Sequence, residues 1–236
     1  MDIWVTGGGW VTEKGYGQLS DKKNILLSNG PAVIVPTEVI FEQPHKRYGR
    51  FDDFTRMGIT AVSLSLQDSK LISTNKKANM GMIASTYNDV MKTDIEYYNT
   101  AKSDGGTLSS PNLFSYTLPV IVLGECSTQF HFMGPTLCVG DSTKIGLNAL
   151  LQASSMIRSG KCESMLAGWI DSPMSSAASS TEKTRASLTG SIFVTLEASP
   201  KNIFPHFVKL DYRHPSNLFL EKRELSDIVE LFNKGE

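Results

Sequence analysis

Residues 134–143 read Gly134-Pro135-Thr136-Leu137-Cys138-Val139-Gly140-Asp141-Ser142-Thr143, and this is the most informative segment of the chain. Its centre is a short apolar run that predicts a strand, and the glycine and aspartate that follow predict a sharp turn. Residues 144–158 then repeat apolar side chains at helical spacing, and Gly160 marks the end of that helix. The sequence therefore predicts a strand, a tight corner and a helix in immediate succession.

Strand and helix patterns alternate on both sides of this corner. Apolar runs predict strands at 3–6, 80–85, 164–170, 192–197 and 204–211. Helical spacing predicts helices at 53–67, at 87–102, within 114–132 and at 221–233. The last two strands are interpreted as an antiparallel pair, and residues 175–189 are compatible with either a loop or a weak helix. We predict one α/β domain over residues 1–236, with a mixed sheet covered by helices.

The glycine cluster Gly7-Gly8-Gly9 follows the first predicted strand and indicates a tight turn there. A glycine cluster in this position can cradle phosphate, but neither of the common nucleotide-binding spacings follows it. The turn is therefore interpreted as structural.

Composition narrows the range of partners. The 236 residues include 23 Lys and Arg against 24 Asp and Glu, so the net charge of −1 favours neither nucleic acid nor an anionic membrane surface. Cys126, Cys138 and Cys162 have no metal-like spacing and are too few for a disulfide scaffold. The N-terminus lacks the pattern of a signal peptide, and no apolar run approaches the roughly 18 residues of a membrane helix. We expect a cytoplasmic protein with no metal site.

Several segments resemble, in order and spacing, the N-terminal half of the β-ketoacyl synthases, which have the thiolase-like fold. The matching segments are Val5-Thr6-Gly7-Gly8-Gly9, residues 50–54, 58–61 and 67–69, Ser110-Pro111, Gly124, Gly134-Pro135, Gly146 and Leu166-Ala167-Gly168-Trp169. The resemblance covers residues 1–198, and residues 199–236 are predicted to add a terminal strand and helix. The resemblance implies that the chain has the fold of one half of a thiolase-like protein.

The resemblance also implies that the catalytic nucleophile is absent. In the family, a cysteine at the strand-to-helix corner takes the acyl chain from an acyl carrier protein, and counting from Gly134 without gaps puts Thr143 at that position. A helix N-terminus can lower the pKa of a thiol, whereas a threonine hydroxyl needs a positioned base. The family's histidine pair and lysine belong to a C-terminal half that we expect to be missing. We therefore predict no catalytic residues and no cofactor.

Cys138 is the alternative nucleophile, but it precedes Thr143 by five residues and falls inside the predicted strand. A packed small apolar residue is the simpler interpretation. His45, His131, His206 and His214 match none of the family's catalytic motifs and are interpreted as surface or packing residues.

Family members dimerise through the strand that precedes the nucleophile, so the resemblance places a dimer interface at Thr136, Leu137, Cys138, Val139 and Gly140. Relatives that have lost the nucleophile act as chain-length factors: they pair with an active synthase and close its acyl tunnel. Shortened relatives of this kind are associated with bacterial aryl polyene biosynthesis. The expected partners are a full-length β-ketoacyl synthase and, through that complex, an acyl carrier protein.

By the same resemblance, six side chains are candidates for the wall of the acyl tunnel: Tyr87, Val90, Met91, Ile95, Leu113 and Phe114. The alternative is that they are ordinary core residues, because apolar side chains at helical spacing usually are. Two other functions also remain open. The chain could be an acyl transferase that uses Thr143 or Cys138, or a homodimer that binds carrier proteins.

Overall fold

The fold is described from a computed structural model that covers residues 2–71, 78–102, 104–141, 144–172, 188–214 and 217–233. Most of the predicted loop or weak helix at 175–189 lies outside these residues. None of the helices in the described ranges is both long and apolar enough to span a bilayer.

The described strands form one nine-stranded mixed sheet, which confirms the predicted α/β class. In chain order the strands are β1 (Ile3–Thr12), β2 (Gly15–Gln18), β3 (Met80–Thr86), β4 (Thr136–Gly140), β5 (Ser164–Asp171), β6 (Gly190–Glu197), β7 (Val208–His214), β8 (Asn217–Leu220) and β9 (Arg223–Glu224). Their order across the sheet is β4-β3-β5-β6-β1-β7-β8-β9, with β2 paired to β1. Strand β3 runs parallel to β4 and β5, and the other pairs are antiparallel.

The helices connect these strands and cover the sheet. They are α1 (Thr37–Ile40), α2 (Asp53–Asp68), α3 (Met91–Ala101), α4 (Pro111–Phe114), α5 (Ile121–Phe130) and α6 (Leu147–Arg158). Short 3-10 turns occupy Leu19–Asp21, Tyr48–Arg50, Asp104–Gly106 and Ile228–Leu231. Helix α2 begins at the predicted residue, where the Asp52 side chain accepts a hydrogen bond from Thr55 N at 2.9 Å and caps the helix.

The sheet separates two apolar cores. On one face, α6 packs through residues such as Leu150 against Ile83 and Trp169 of the sheet. On the other face, α2 and α5 pack through Phe54 and Leu123. Neighbouring strand residues point to opposite faces, so the central strands β3, β5 and β6 contribute to both cores and are buried on both sides.

The turn predicted at Gly7-Gly8-Gly9 is wrong, because β1 continues through all three glycines to Thr12. The glycines are needed for close packing. A Cβ at Gly7 would lie 2.5 Å from Ser69 N, and one at Gly9 would lie 2.3 Å from Ala61 O. Backbone of α2 therefore occupies the space that side chains of β1 would fill.

Two predictions near the C-terminus are also wrong. The strands predicted at 192–197 and 204–211 are present as β6 and β7, but β1 lies between them, so they do not pair with each other. Residues 221–233 form β9 and a 3-10 turn rather than an amphipathic helix. Ile228 N donates to Ile145 O at 2.8 Å, so a bond to a residue two positions before α6 replaces a bond along a helix. Leu225, Ile228 and Phe232 are nonetheless buried, as their spacing predicts.

Two helices start later than predicted. Asp89, with a φ of 58°, precedes α3, and Gly146, with a φ of 70°, precedes α6. These left-handed residues are incompatible with a helix that continues from residue 87 or 144.

We predict that Gly9→Ala lowers the free energy of unfolding by about 3 kcal/mol, because the new methyl group meets backbone that cannot rotate away. The matched control is Gly124→Ala on α5, where an added Cβ has no atom within 4 Å. The free energy of unfolding of this control variant should be higher by roughly 0.5–1 kcal/mol, because alanine has a better helix propensity than glycine. Urea unfolding of the two variants measures both changes. Equal stability of Gly9→Ala and the unsubstituted chain would contradict the packing described here.

Candidate functional site

The predicted strand, corner and helix are present, because β4 ends at Gly140 and α6 begins at Leu147. Two hydrogen bonds hold the corner. Gly146 N donates to Asp141 Oδ2 at 2.9 Å, and Asn148 Nδ2 donates to Gly140 O at 2.9 Å. Residues 142 and 143 lie outside the described part of the chain, so Thr143 as the vacated nucleophile position stays a prediction.

Cys138 lies in the middle of β4, half-buried against the core that contains α2. Burial, with a smaller contribution from the Asp89 carboxylate, raises the pKa of the Cys138 thiol to about 12. A thiol with this pKa is almost entirely protonated near neutral pH and is therefore a poor nucleophile. The local chemistry is the reverse of what an acyl-transferring cysteine requires.

Strand β4 is the terminal strand of the sheet, and no other strand of the described ranges pairs with its free side. Met82 N donates to Pro135 O at 2.9 Å, and Asp141 N donates to Thr86 O at 2.8 Å, so the odd-numbered residues face β3. Because backbone groups alternate in direction along a strand, Thr136, Cys138 and Gly140 present theirs to the free side.

All five residues predicted for the dimer interface form β4 and are exposed or half-buried. In order they are Thr136, Leu137, Cys138, Val139 and Gly140. An uncovered strand edge of this kind is a template for pairing with a second chain.

The six tunnel candidates lie on two neighbouring helices and the turn before them. Tyr87 and Val90 are in the turn after β3, Met91 and Ile95 are on α3, and Leu113 and Phe114 are on α4. The two helices pack together, with the ring centroids of Tyr97 and Phe114 at 5.4 Å. The structure therefore brings these segments to one region.

Most of the tunnel candidates are not core residues in this chain. Val90 is buried and Leu113 is half-buried, whereas Tyr87, Met91, Ile95 and Phe114 are exposed. The alternative interpretation as ordinary core therefore fails for these four exposed residues. A contiguous exposed apolar surface commonly marks an interaction site, although the tunnel itself remains a prediction.

The sequence analysis missed Asp171, a fully buried carboxylate at the end of β5. Its oxygens accept hydrogen bonds from Thr86 Oγ1 at 2.8 Å, from Tyr87 N at 3.0 Å, from Asn88 N at 2.8 Å and from Trp169 Nε1 at 2.5 Å. These donors offset the cost of burying the charge and fix the turn that carries two tunnel candidates. The available sequence signal was a single acid at the end of an otherwise apolar strand.

Two of the histidines are packing residues. His45 stacks on Phe41 with ring centroids 5.0 Å apart, and His206 packs against Phe207 at the same separation. Among the described residues, no group of three or more His, Cys, Asp or Glu side chains is arranged to hold a metal ion.

We predict that Asp171→Asn lowers the free energy of unfolding by about 1–3 kcal/mol, because the amide NH2 would face a hydrogen-bond donor inside the core. The backbone amides of Tyr87 and Asn88 should also exchange faster with solvent. The control is Asp94→Asn on the exposed side of α3. Urea unfolding and amide hydrogen exchange measure these effects, and unchanged protection of both amides would show that Asp171 does not hold the turn.

Comparison with solved structures finds several proteins with a similar fold. One match is "The ishigamide ketosynthase/chain length factor", with a TM-score of 0.64 and 14% identity, covering 87% of this chain and 64% of that one. A second is a β-ketoacyl synthase from Burkholderia phymatum STM815, with a TM-score of 0.61 and 19% identity, covering 83% and 58%. A third is the ketosynthase ApeO in complex with its chain length factor ApeC from Xenorhabdus doucetiae, with a TM-score of 0.62 and 10% identity, covering 85% and 81%.

This chain therefore spans less than two thirds of the first two of these proteins, and at such identities the likeness concerns the fold alone. No curated protein sequence matches it. A sequence model described as the N-terminal domain of β-ketoacyl synthases matches residues 35–188, which is more than half of the chain. The protein thus belongs to the β-ketoacyl synthase family, as a chain with that family's N-terminal domain.

Proposed function

We propose that this protein is a non-catalytic subunit, similar to a chain-length factor, that pairs with a full-length β-ketoacyl synthase and shapes its acyl tunnel. The observation that carries this proposal is the free edge of β4. The outward backbone groups of Thr136 and Cys138 are available for pairing, and the strand leads directly into the corner where the family's nucleophile would lie.

The chemistry near the corner supports a non-catalytic role. The sequence has threonine at the position where the family's cysteine is expected, and the nearest thiol, that of Cys138, is protonated near neutral pH. An acyl transferase that uses Thr143 would need a base to activate the hydroxyl. This alternative predicts a covalently acylated chain, which intact-mass measurement after incubation with an acylated carrier protein would detect.

The exposed tunnel candidates support a role in product length. Tyr87, Met91, Ile95 and Phe114 would be covered if a synthase packed over α3 and α4, and their bulk would then limit the space for the acyl chain. Two of the structural matches carry the words chain length factor in their descriptions, which agrees with this role.

We further propose bacterial polyketide or aryl polyene biosynthesis, a pathway related to fatty-acid synthesis, as the setting. The acyl carrier protein would reach this chain only through the synthase. The expected compartment is the cytoplasm, where three cysteines without a disulfide framework would stay reduced. The competing function is a homodimer that binds carrier proteins through the same free edge.

Cys138→Pro gives a sharp test of the β4 edge. Its N–H faces away from β3, so proline there removes a donor needed by a partner strand while the bonds to β3 remain. Cys138→Ala keeps the donor and is the matched control. We expect the alanine variant to co-purify in a one-to-one complex with a co-expressed β-ketoacyl synthase, and the proline variant to remain folded but alone.

Size-exclusion chromatography with light scattering reads out both variants, and circular dichroism checks that each is folded. A folded proline variant that still binds the synthase would rule out β4 as the interface. A stable homodimer that ignores the synthase would favour the competing function.

The tunnel proposal is tested in the same complex by Met91→Ala. Removing this side chain should leave space at the end of the tunnel and shift the product distribution toward longer chains. Glu96→Ala, an exposed change on the same helix, is the control and should leave the distribution unchanged. Mass spectrometry of products released from the carrier protein gives the answer, and identical profiles for both variants would remove Met91 from the tunnel wall.

A further inference from the structure

Helix α3, which carries the tunnel candidates Met91 and Ile95, is attached to the rest of the domain mainly by polar contacts. The structure describes all of Met91–Ala101, and within this helix only Thr93 is buried, at 4% exposure. A surface helix normally buries a stripe of apolar side chains at helical spacing, and that stripe fixes its position. Because α3 buries no apolar side chain, hydrophobic packing contributes little to holding it in place.

The Thr93 hydroxyl bonds to the residue that caps another helix. Thr93 Oγ1 donates to Asp52 Oδ2 at 2.6 Å, and the other oxygen of the same carboxylate accepts from Thr55 N at 2.9 Å. One side chain therefore closes the N-terminus of α2 and also holds α3. A hydrogen bond to a carboxylate is stronger than a bond between two neutral groups, so this contact is well suited to fix one helix against the other.

The other side-chain contacts of α3 are weaker or lead away from α2. Lys92 Nζ and Asp53 Oδ2 are 2.6 Å apart, but their side chains are 33% and 58% exposed, and an exposed ion pair contributes little. Near the end of α3, Ser110 N donates to Thr100 Oγ1 at 3.0 Å, and this bond joins α3 to the residue that caps α4. Within the described ranges, the bond to the α2 cap is therefore the strongest polar contact between α3 and α2.

We propose that Thr93 and Asp52 are positioning residues that set product length by holding α3 at one distance from α2. The turn held by Asp171 fixes where α3 starts, and a second contact is needed to fix the direction of the helix. While the hydroxyl is bonded to the carboxylate, Met91 and Ile95 stay at one distance from the space that a synthase would cover. This inference rests on the proposed function, because the two residues act through α3 and not through contact with the acyl chain.

Thr93→Val tests the attachment, because valine has the shape of threonine and a similar helix propensity but cannot donate a hydrogen bond. In the isolated full chain, we expect the backbone amides of residues 94–98 to exchange with solvent about tenfold faster, which is the size expected for loss of a hydrogen bond to a charged group. Thr93→Ala also lacks the hydroxyl and should behave like the valine variant, although alanine is the better helix former.

Two further variants separate the hydrogen bond from a general loss of stability. Thr93→Ser keeps the hydroxyl and should restore the protection of residues 94–98. Thr128→Val on α5 is the matched control, because its exposed hydroxyl bonds within its own helix, to Gly124 O at 2.9 Å. It should leave the exchange of α3 unchanged. Circular dichroism confirms that each variant is folded.

The role in product length is tested in the complex with the synthase. Thr93→Val should broaden the product distribution toward longer chains, because a loosely held α3 samples several distances, whereas Met91→Ala should shift the distribution without broadening it. Thr93→Ser and Thr128→Val should give the products of the unsubstituted complex. Mass spectrometry of products released from the carrier protein measures all four variants.

Each possible failure has a different meaning. Unchanged amide exchange in Thr93→Val, or a serine variant that behaves like valine, would overturn the attachment. Faster exchange with an unchanged product distribution would overturn its role in product length, while the heterodimer would stand. If the unsubstituted chain binds no synthase, the proposed function fails and the product-length role fails with it, whatever the exchange of the isolated chain shows.

Discussion

The backbone of helix α2 can pack directly against the backbone of strand β1 because three successive residues of that strand are glycines. The contact brings the Ser65 hydroxyl within 2.9 Å of the Thr195 hydroxyl on β6, so the same helix also binds the neighbouring strand. The neighbouring antiparallel strands β1 and β6 are thereby both joined to one helix. Strand β4 lies at the edge of the sheet, four strand positions from β1.

The second constraint is electrostatic. Asp171 places a carboxyl group in the core, where burial is tolerated only if its oxygens are well hydrogen-bonded. Two of its donors are backbone N–H groups of the turn after β3, so the carboxylate joins the end of β5 to the start of the segment that carries α3. The exposed apolar residues of α3 therefore lie on a helix whose preceding turn has a fixed backbone. A surface held in this way is better suited to rigid packing against a partner than a loose loop would be.

The elements that local patterns define were predictable from the sequence. Strands such as β3 and β5 are continuous apolar runs between breakers, and α2 has both a capping aspartate and helical spacing, so their positions could be predicted closely. The glycines of β1 were misjudged because their role depends on a helix about 50 residues further along the chain. The spacing of Leu225, Ile228 and Phe232 correctly indicated burial but not helix, since a tertiary bond to Ile145 overrides the local preference. Asp171 was missed because three of its four donors, Thr86, Tyr87 and Asn88, lie 83–85 residues before it in the sequence.

The corner between β4 and α6 is held by contacts that do not involve a thiol. The bonds that hold it join Asp141 to Gly146 and Gly140 to Asn148, and neither bond requires a sulfur atom. The proposed exchange of the family's cysteine for Thr143 would therefore leave both bonds in place. The outward hydrogen-bond donors of β4 are backbone groups, so an exchange of side chains does not remove them. Under the proposed function, selection can act on the surface that faces the synthase, while the fold that presents this surface stays unchanged.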